Sequence, residues 1–293
     1  MPLTFQLPIL PPAAFVQSLL SSVDSPVDGI VIIPTISRST LIDSVRSCLQ
    51  NRLNIITYVS FNGSPPHELI NMLPSSNCLR FTVIADQIDS TSHGRFLYSL
   101  LPHLGDMPIA FLHDDDMHAP YYMDHSIRLL SMHNKAKAIY SRAFYFSPDD
   151  PSSGNFFPDR SGSRYFAGSS HIVRRFYWNP VVTPTLVARA SSFPPDLMHR
   201  IEMLGGLHDF WLAAYFSMSG YYYSSRLGLL RSCHAGQDSR SGVYTDFRLD
   251  RVRLEISRLL PAFPRFLYRT HCILRTLFRR MMDSFLRPIP PCE

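Results

Sequence analysis

The stretch Ile109-Ala-Phe-Leu-His-Asp-Asp-Asp-Met-His118 runs from a short apolar segment straight into three successive carboxylates. Residues 109–112 have the length and composition of a buried strand, and ligands bind where the strands of a parallel sheet end. Three adjacent carboxylates repel one another and need a cation, and oxygen ligands favour Mg²⁺ or Mn²⁺. The stretch therefore predicts a metal site at a strand end rather than a solvated acidic turn. Strand alternation predicts that Asp114 and Asp116 point one way and Asp115 the other.

Three further apolar runs lie upstream at fairly even intervals, and their β-branched and aromatic residues are typical of strands: 30–33, 55–59 and 81–85. Between them, apolar residues recur at helical spacing in 41–49, after a predicted N-cap at Ser39, and in 96–101. Strand–helix units of about 25 residues favour right-handed crossovers and a mainly parallel sheet. The predicted fold class is therefore α/β, and residues 29–118 form its nucleotide-binding half.

The second half of the chain differs in composition, with aromatic runs on both sides of a long polar segment. The predicted elements are a strand at 138–146, a polar loop at 147–171, a short strand at 185–187, a helix at 207–219, and a strand pair at 221–224 and 227–231. No linker or internal repeat separates these elements from the first half. We assign 29–262 to one domain with halves at 29–118 and 119–262, and 1–28 to an N-terminal extension.

The formal net charge of +5 is concentrated at the C-terminus, because residues 263–293 hold six Arg against Asp283 and Glu293 and leave +1 for the first 262. A nearly neutral body argues against a nucleic-acid partner. Within 263–287, apolar residues recur at helical spacing with Arg between them. Such a basic amphipathic tail suits an anionic membrane surface, and it equally suits a terminal helix packed on the domain with solvated Arg.

The five cysteines are scattered and odd in number, and none forms a Cys-x-x-Cys pair, which favours a reducing compartment. No apolar run reaches the roughly 18 residues that cross a bilayer. The segment 1–20 lacks Lys and Arg and is interrupted by Pro, so it makes a poor signal peptide. We therefore expect a cytoplasmic protein, with peripheral contact at the inner face of the cell membrane through its tail.

Six segments, taken in order, resemble family-two glycosyltransferases with the GT-A fold, of the bacterial polysaccharide type. They are Gly29-Ile-Val-Ile-Ile-Pro-Thr-Ile-Ser-Arg38, Val59-Ser-Phe-Asn-Gly-Ser64, Leu112-His-Asp-Asp-Asp-Met117 with Pro120-Tyr-Tyr-Met123, Asn179-Pro-Val-Val-Thr-Pro-Thr-Leu-Val-Ala-Arg189, Gly205-Gly-Leu-His-Asp-Phe-Trp-Leu212, and Arg231-Ser-Cys-His-Ala-Gly-Gln-Asp-Ser239. The resemblance spans about residues 29–240. It implies that 119–262 is an acceptor-binding half.

The resemblance also implies roles for individual residues. Asp116 and His234 would ligate Mn²⁺ or Mg²⁺, and Asp114 would contact the ribose, or the metal through water. Asp209 would be the general base that deprotonates an acceptor hydroxyl, with Glu202 as a nearby substitute. Asp209 also fits a plainer role, as a helix N-terminal acid stabilised by the helix dipole. The remaining residues expected around the nucleotide are Pro34, Thr35, Asn62, Asp86 and Arg95.

The implied reaction is a single displacement with inversion, in surface polysaccharide or glycolipid assembly. A UDP-sugar is the favoured donor, and a saccharide or lipid-linked molecule is the acceptor. The chain departs from the family at Phe61-Asn-Gly-Ser64, where no carboxylate stands to read the uracil, and at His208-Asp209, which replaces Glu-Asp. The loop 147–171 either covers the acceptor or is an ordinary surface loop. Trp178 and Trp211 either stack on a sugar or pack in the core.

Two other functions remain compatible with the sequence. The first is a metal-dependent phosphoester hydrolase that uses His113, Asp114, Asp116 and His118 as ligands. The second is a non-catalytic protein that binds a nucleotide sugar on the same fold. A sugar-phosphate nucleotidyltransferase is disfavoured, because no Gly-rich basic loop follows the first strand.

Overall fold

Runs of β-branched and aromatic residues build one sheet, and the apolar stripes between them build the helices that cover it. The computed structural model describes residues 4–6, 11–21, 23, 25–84, 86–147, 150–157, 162–168, 183–232, 246–262, 265–266, 268–270 and 272–273. The strands are β1 (Thr4–Gln6), β2 (Gly29–Thr35), β3 (Ile55–Asn62), β4 (Leu79–Ile84), β5 (Pro108–Phe111), β6 (Asp116–His118), β7 (Ala138–Ser147), β8 (Asp150–Phe157), β9 (Arg164–Phe166), β10 (Val187–Arg189) and β11 (Tyr221–Ser232). The helices are α1 (Pro12–Ser21), α2 (Leu41–Cys48), α3 (His67–Met72), α4 (Ser90–Ser99), α5 (Tyr122–Met132), α6 (Leu197–Leu204), α7 (His208–Ser219) and α8 (Asp246–Leu259).

The strand order is β1-β4-β3-β2-β5-β10-β7-β11-β6, with β8 beside β7 and β9 beside β11. The first five strands in this order pair in parallel, and β7 is parallel to β11. Antiparallel β10 joins the two parallel sets. The mainly parallel α/β fold predicted from the sequence is confirmed. Because parallel strands end at one edge, the residues that follow β2, β3, β4 and β5 meet there.

The sheet is covered on both faces by apolar clusters, and the extension at 1–28 contributes to one of them. Phe15 and Val16 of α1 are buried in the cluster that contains Tyr58 of β3, and the Phe15 and Tyr58 ring centroids lie 5.6 Å apart. Trp211 of α7 is 1% exposed in the same cluster, which is the core role considered for it. Trp178 lies outside the described residues.

The polar segment predicted as a loop at 147–171 contains strand structure instead. β8 pairs antiparallel with β7, and the Phe144 and Phe156 rings lie 5.0 Å apart. The guanidinium of Arg142 lies 4.0 Å from the Phe156 ring centroid. Cross-strand aromatic contacts of this kind stabilise a pairing that a Gly/Ser/Pro-rich composition does not reveal.

The predicted strand pair at 221–224 and 227–231 is also wrong, since both parts belong to the single strand β11. The register with β7 shifts between Ser224 and Leu229, so the chain bulges there rather than turning. Gly228 lies in this irregular stretch. A Cβ at this position would stand 2.5 Å from the Tyr122 ring, so the close packing requires glycine. The predicted strand at 185–187 is displaced, since 183–185 form a 3₁₀ turn and β10 follows.

Among the residues that the structure describes, no helix combines the length and the apolar character needed to cross a bilayer. The described part of the tail is attached to the domain through Tyr268, which is 3% exposed in the core. Phe266 and Ile273 of the same segment are 65% and 60% exposed. Two arginines of the tail also bond to the domain, Arg265 to the Leu260 carbonyl and Arg269 to the Ser257 hydroxyl. Residues 263–264, 267, 271 and 274–293 of the predicted amphipathic tail lie outside the described residues.

Candidate active site

The turn that follows β2 is bonded to the acidic segment from both of its ends. The Thr35 hydroxyl, 2% exposed, donates to Asp114 Oδ2 at 2.7 Å and accepts the Ser37 backbone N–H at 2.9 Å. Ser37 adopts a left-handed backbone with φ of 70°, which is uncommon for a residue with a side chain. The Thr40 hydroxyl donates to the Asp114 carbonyl at 2.8 Å. Thr40, rather than the predicted Ser39, is the N-cap residue of α2, and its side chain holds the acidic segment instead of capping the helix.

The side chain and the carbonyl of Asp114 are therefore both hydrogen-bonded to this turn. Arg38 Nη1 lies 3.0 Å from Asp114 Oδ1 and 3.4 Å from Asp115 Oδ2. The prediction that Asp115 points away from its neighbours is wrong, because 114–115 form a turn before β6 and the alternation of a strand does not apply. All three acids are buried, at 4%, 8% and 0% exposure for Asp114, Asp115 and Asp116.

Three side chains of this segment are arranged as a metal site requires. One ligand atom from each of His113, Asp115 and Asp116 lies within 4.8 Å of the others. Both carboxylate oxygens of Asp116 are buried, and neither makes a hydrogen bond of good geometry with a described residue. The contact that the structure shows for Asp116 is His113 Nδ1 at 3.4 Å, and a buried ionised carboxylate so weakly compensated favours a bound cation. The donor set therefore fits Mn²⁺ or Mg²⁺, with a histidine nitrogen that suits Mn²⁺ better.

The contact between His113 and Asp116 is electrostatic as well as geometric. His113 Nδ1 lies 3.4 Å from Asp116 Oδ2. Burial lowers the pKa of His113, but the hydrogen bond and charge of Asp116 outweigh it, so the pKa lies above the usual value. The charge of Asp209 also raises the pKa of His113, and that of Arg231 lowers it. Arg231 pairs with Asp116 in the register of β11 and β6, so this strand brings a cation to the site.

His118, the fourth ligand of the hydrolase alternative, contacts a different part of the molecule. Its Nδ1 lies 3.8 Å from Cys48 Sγ of α2, and both side chains are buried. Burial lowers the pKa of His118 to about 4 and raises the pKa of Cys48 to about 12, so the pair is neutral and the thiol unreactive. Asp114 is bonded to Thr35 and Arg38. The four residues of the hydrolase alternative are therefore not assembled into one ligand set.

Asn62, predicted beside the nucleotide, shapes the neighbouring loop at the end of β3. Its side-chain amide donates to the Ile88 carbonyl at 2.7 Å, and its oxygen accepts the Ile88 N–H at 2.9 Å. Asp86 is exposed in the loop that this pair of bonds holds. Pro34 lies in β2, directly before Thr35. These residues therefore lie at or beyond the ends of adjacent parallel strands.

Arg95 and Glu202 form an ion pair with each other. Arg95 of α4 lies 3.7 Å from Glu202 of α6, and both side chains are about half exposed, at 47% and 61%. An ion pair this exposed contributes little to stability. The structure thus places the predicted nucleotide contact and the predicted substitute base in one surface pair.

Asp209 lies in the first turn of α7, with its side chain 29% exposed. Its Oδ1 is 3.3 Å from His208 Nε2. His208 Nδ1 lies 2.8 Å from the Gly205 carbonyl, which only accepts, so this nitrogen carries the proton in the neutral ring. His208 Nε2 then accepts the Tyr98 hydroxyl at 3.2 Å. His208 is therefore held on both sides, and in this tautomer its Nε2, 3.3 Å from Asp209 Oδ1, has no proton to donate to the carboxylate.

Tyr98 connects this base candidate to the strand that leads into the acidic segment. The Tyr98 ring stacks on Phe111, the last residue of β5, with centroids 4.5 Å apart. Burial raises the pKa of Tyr98 well above its usual value, and the negative charge of Asp209 adds to the effect. Asp209 contacts His208, His208 contacts Tyr98, and Tyr98 stacks on Phe111, two residues before His113, so a chain of contacts connects the two acidic regions.

Three residues of the site had no role in the interpretation of the sequence. Arg38 and Thr40 bond to Asp114 from positions 76 and 74 residues away, and Asp115 belongs to the metal cluster. A signal for Arg38 existed, since it is the single cation in the turn after β2. His234, the predicted second metal ligand, lies outside the described residues.

No family model matches the sequence, and no curated protein matches it significantly. Solved structures match in fold. S. aureus TarS 1–349 gives a TM-score of 0.53 at 12% identity over 78% of this chain and 64% of that chain. The same fragment in complex with UDP-GlcNAc gives 0.55 at 14% identity, over 78% and 65%. The chain thus spans just under two thirds of that fragment. The likeness confirms the predicted GT-A-like α/β fold.

Proposed function

We propose that this chain is a metal-dependent, inverting glycosyltransferase that moves a sugar from a nucleoside diphosphate sugar to a hydroxyl acceptor. The observation that carries the proposal is Asp116, a wholly buried carboxylate whose oxygens make no hydrogen bond of good geometry with a described residue and which contacts His113 at 3.4 Å. It lies at the edge where parallel strands end, beside His113 and Asp115, in a chain with a glycosyltransferase fold. A UDP-sugar is the favoured donor, supported by the fold likeness to a complex with UDP-GlcNAc.

His113, Asp115 and Asp116 would hold the metal ion, and His234 remains a predicted further ligand. A divalent ion bound there would offset the charge that develops on the departing diphosphate. Asp114 orients the segment through Thr35 and Arg38, so that the ligating side chains are in place before the donor arrives. Such preorganisation is the main contribution that a protein makes to a transfer of this kind.

Asp209 would accept the proton of the acceptor hydroxyl. As that proton leaves, the acceptor oxygen forms a bond to the sugar carbon, and the bond from that carbon to the diphosphate breaks with its electron pair. Attack opposite the leaving group inverts the carbon. The part-exposed Asp209 side chain is open to an acceptor.

The acceptor we propose is a saccharide or a lipid-linked molecule in surface polysaccharide or glycolipid assembly. Support for contact with an anionic membrane comes from Phe266 and Ile273, which are exposed in a segment whose sequence is rich in Arg. The described Arg265 and Arg269 of this segment bond to the domain itself, so the support comes from the apolar pair. Because Tyr268 is anchored in the core, deleting the tail would disturb the domain. Phe266→Ser with Ile273→Ser is therefore the better variant, and it should reduce sedimentation with phosphatidylglycerol vesicles. Unchanged sedimentation of the variant would remove the membrane from the proposal.

Release of UDP from a panel of UDP-sugars tests the proposed activity, with Mn²⁺ and then with chelator. We expect one or a few donors to release UDP slowly to water without an added acceptor, only with metal, and not in Asp116→Asn. Release of phosphate from a simple phosphoester by the wild type would instead support a hydrolase. Metal-dependent UDP binding without turnover of any donor, with and without a panel of saccharide acceptors, would make the chain a non-catalytic binding protein.

A further inference from the structure

Arg38 occupies a position that the surrounding bonds define closely. It stands in the left-handed turn after β2, between Thr35 and Thr40, and both threonine hydroxyls are bonded to Asp114. The turn is therefore attached to the acidic segment on each side of the arginine. This attachment places the guanidinium at the metal cluster independently of any ligand.

The guanidinium of Arg38 contacts the acids through one nitrogen atom. Nη1 alone makes the contacts, at 3.0 Å to Asp114 and 3.4 Å to Asp115. Within the described part of the chain, Nε and Nη2 of Arg38 make no hydrogen bond, and the side chain is 32% exposed. A guanidinium has five N–H donors in a planar fork, so most of its donors remain for another acceptor.

Arg38 also touches the metal cluster directly, because Asp115 is one of its three members. A cation held next to a divalent-metal site, with donors still open to solvent, suits an anion that the metal also binds. The planar fork matches two oxygens of a phosphate group. A nucleoside diphosphate presents such oxygens beside its metal ion.

We propose that Arg38 is a second, built-in cation of this site, which binds the diphosphate of the donor beside the metal ion. This inference rests on the proposed function for the identity of the donor, but the diphosphate chemistry alone defines the ligand. Arg38 therefore has two opposite effects. It competes electrostatically with the metal for Asp115, and it cooperates with the metal in holding the phosphates.

Calorimetry of the full chain separates these effects, with Mn²⁺ alone, UDP with Mn²⁺, and inorganic pyrophosphate with Mn²⁺ as probes. In Arg38→Gln, we expect Mn²⁺ alone to bind as tightly as in the wild type or a few-fold more tightly, since a neighbouring positive charge is gone. UDP and pyrophosphate should bind about tenfold to a hundredfold more weakly, the loss expected for a charge-assisted hydrogen-bonded pair. Arg38→Lys keeps the charge without the fork, and it should fall between the two.

Arg46→Gln is the matched control, because Arg46 lies nearby on α2 in an exposed pair with Asp43, 3.7 Å away. It should bind all three probes like the wild type. Equal weakening of Mn²⁺ and diphosphate in Arg38→Gln, with a lower melting temperature, would show that Arg38 only supports the acidic segment. If Arg38→Gln does not fold, Arg38→Lys with wild-type diphosphate affinity would overturn the proposal.

The outcomes also separate this inference from the proposed function. If pyrophosphate binds in an Arg38-dependent way and no nucleoside diphosphate binds, the proposed transferase function is wrong. Arg38 would then still be a diphosphate ligand. Metal-dependent binding of UDP that ignores Arg38 would leave the transferase and sink this inference. A wild type that binds neither UDP nor pyrophosphate in the presence of Mn²⁺ would overturn both the proposed function and this inference.

Discussion

The two acidic regions of the site are built in contrasting ways. The acids Asp114–Asp116 are buried, and Asp114 is bonded to the turn after β2 by Thr35, Arg38 and Thr40. Asp209, at the start of α7, is 29% exposed and is contacted on one side by His208. The contrast indicates a donor side that is rigid before binding, because a metal and a diphosphate have fixed geometry. It indicates an acceptor side that is more open, where exposed side chains can accommodate a larger molecule.

The largest effect should come from a variant that removes the base and leaves the donor side intact. Asp209→Asn should lower kcat by roughly 10²- to 10⁴-fold, the contribution of a positioned general base. Nucleotide affinity should be unchanged, because Asp209 is not a member of the metal cluster. UDP release with the best donor, measured together with calorimetry of UDP and Mn²⁺, checks both halves of this prediction.

Glu202→Gln is the matched control, since Glu202 is a neighbouring acid in an exposed pair with Arg95. It should leave kcat within about twofold. A loss of activity in Glu202→Gln with none in Asp209→Asn would transfer the role of base to Glu202. A loss of UDP affinity in Asp209→Asn would end the division into a donor side and an acceptor side.

An intermediate effect should follow from removing one hydroxyl on the rigid side. Thr35→Val keeps the shape but deletes the bond to the buried Asp114, so we expect a loss of about 1–3 kcal/mol in the free energy of unfolding. Thr57→Val is the control, because the Thr57 hydroxyl in adjacent β3 is buried without a hydrogen-bond partner among the described residues. That change should be neutral or stabilising. Urea unfolding compares the two, and equal losses would deny that Asp114 depends on Thr35.

A pH-dependent effect is expected at His93, which packs against β3 behind the donor side. His93 of α4 is 6% exposed, lies 2.8 Å from the Ser60 hydroxyl of β3, and has a pKa lowered to about 4 by burial. The unfolded chain takes up this proton first, so stability present above about pH 6.5 is lost as the pH falls toward 4. The contribution is at most about 1.4 kcal/mol per pH unit. His93→Gln should flatten the pH dependence of urea unfolding by that amount, and an unchanged slope would contradict the assignment.

Prediction from the sequence succeeded where structure is local. The runs at 30–33 and 55–59 lie in β2 and β3, and residues 81–84 and 109–111 of the other two runs lie in β4 and β5, because β-branched and aromatic residues favour a pleated, buried strand. Prediction from the sequence failed where contacts between segments distant in the chain determine the secondary structure. β8 depends on cross-strand contacts such as Phe144 with Phe156, which composition does not show.

The candidate site shows the same division. The position of the acids at a strand end followed from their order in the sequence, but their orientation did not. Period-two alternation fails once 114–115 leave the strand and form a turn, so Asp115 joins Asp116. Arg38 reaches Asp114 across 76 residues of sequence, and only the folded sheet brings the two together.

The central claim is that the buried acids at the strand edge form a metal and nucleotide site. Calorimetry of UDP with Mn²⁺, with chelator, and in Asp116→Asn tests it most directly. We predict metal-dependent binding in the wild type and none in the variant, in which the side chain keeps its shape and only the charge facing His113 is lost. Equal UDP binding by the wild type and Asp116→Asn, with or without metal, would contradict the account.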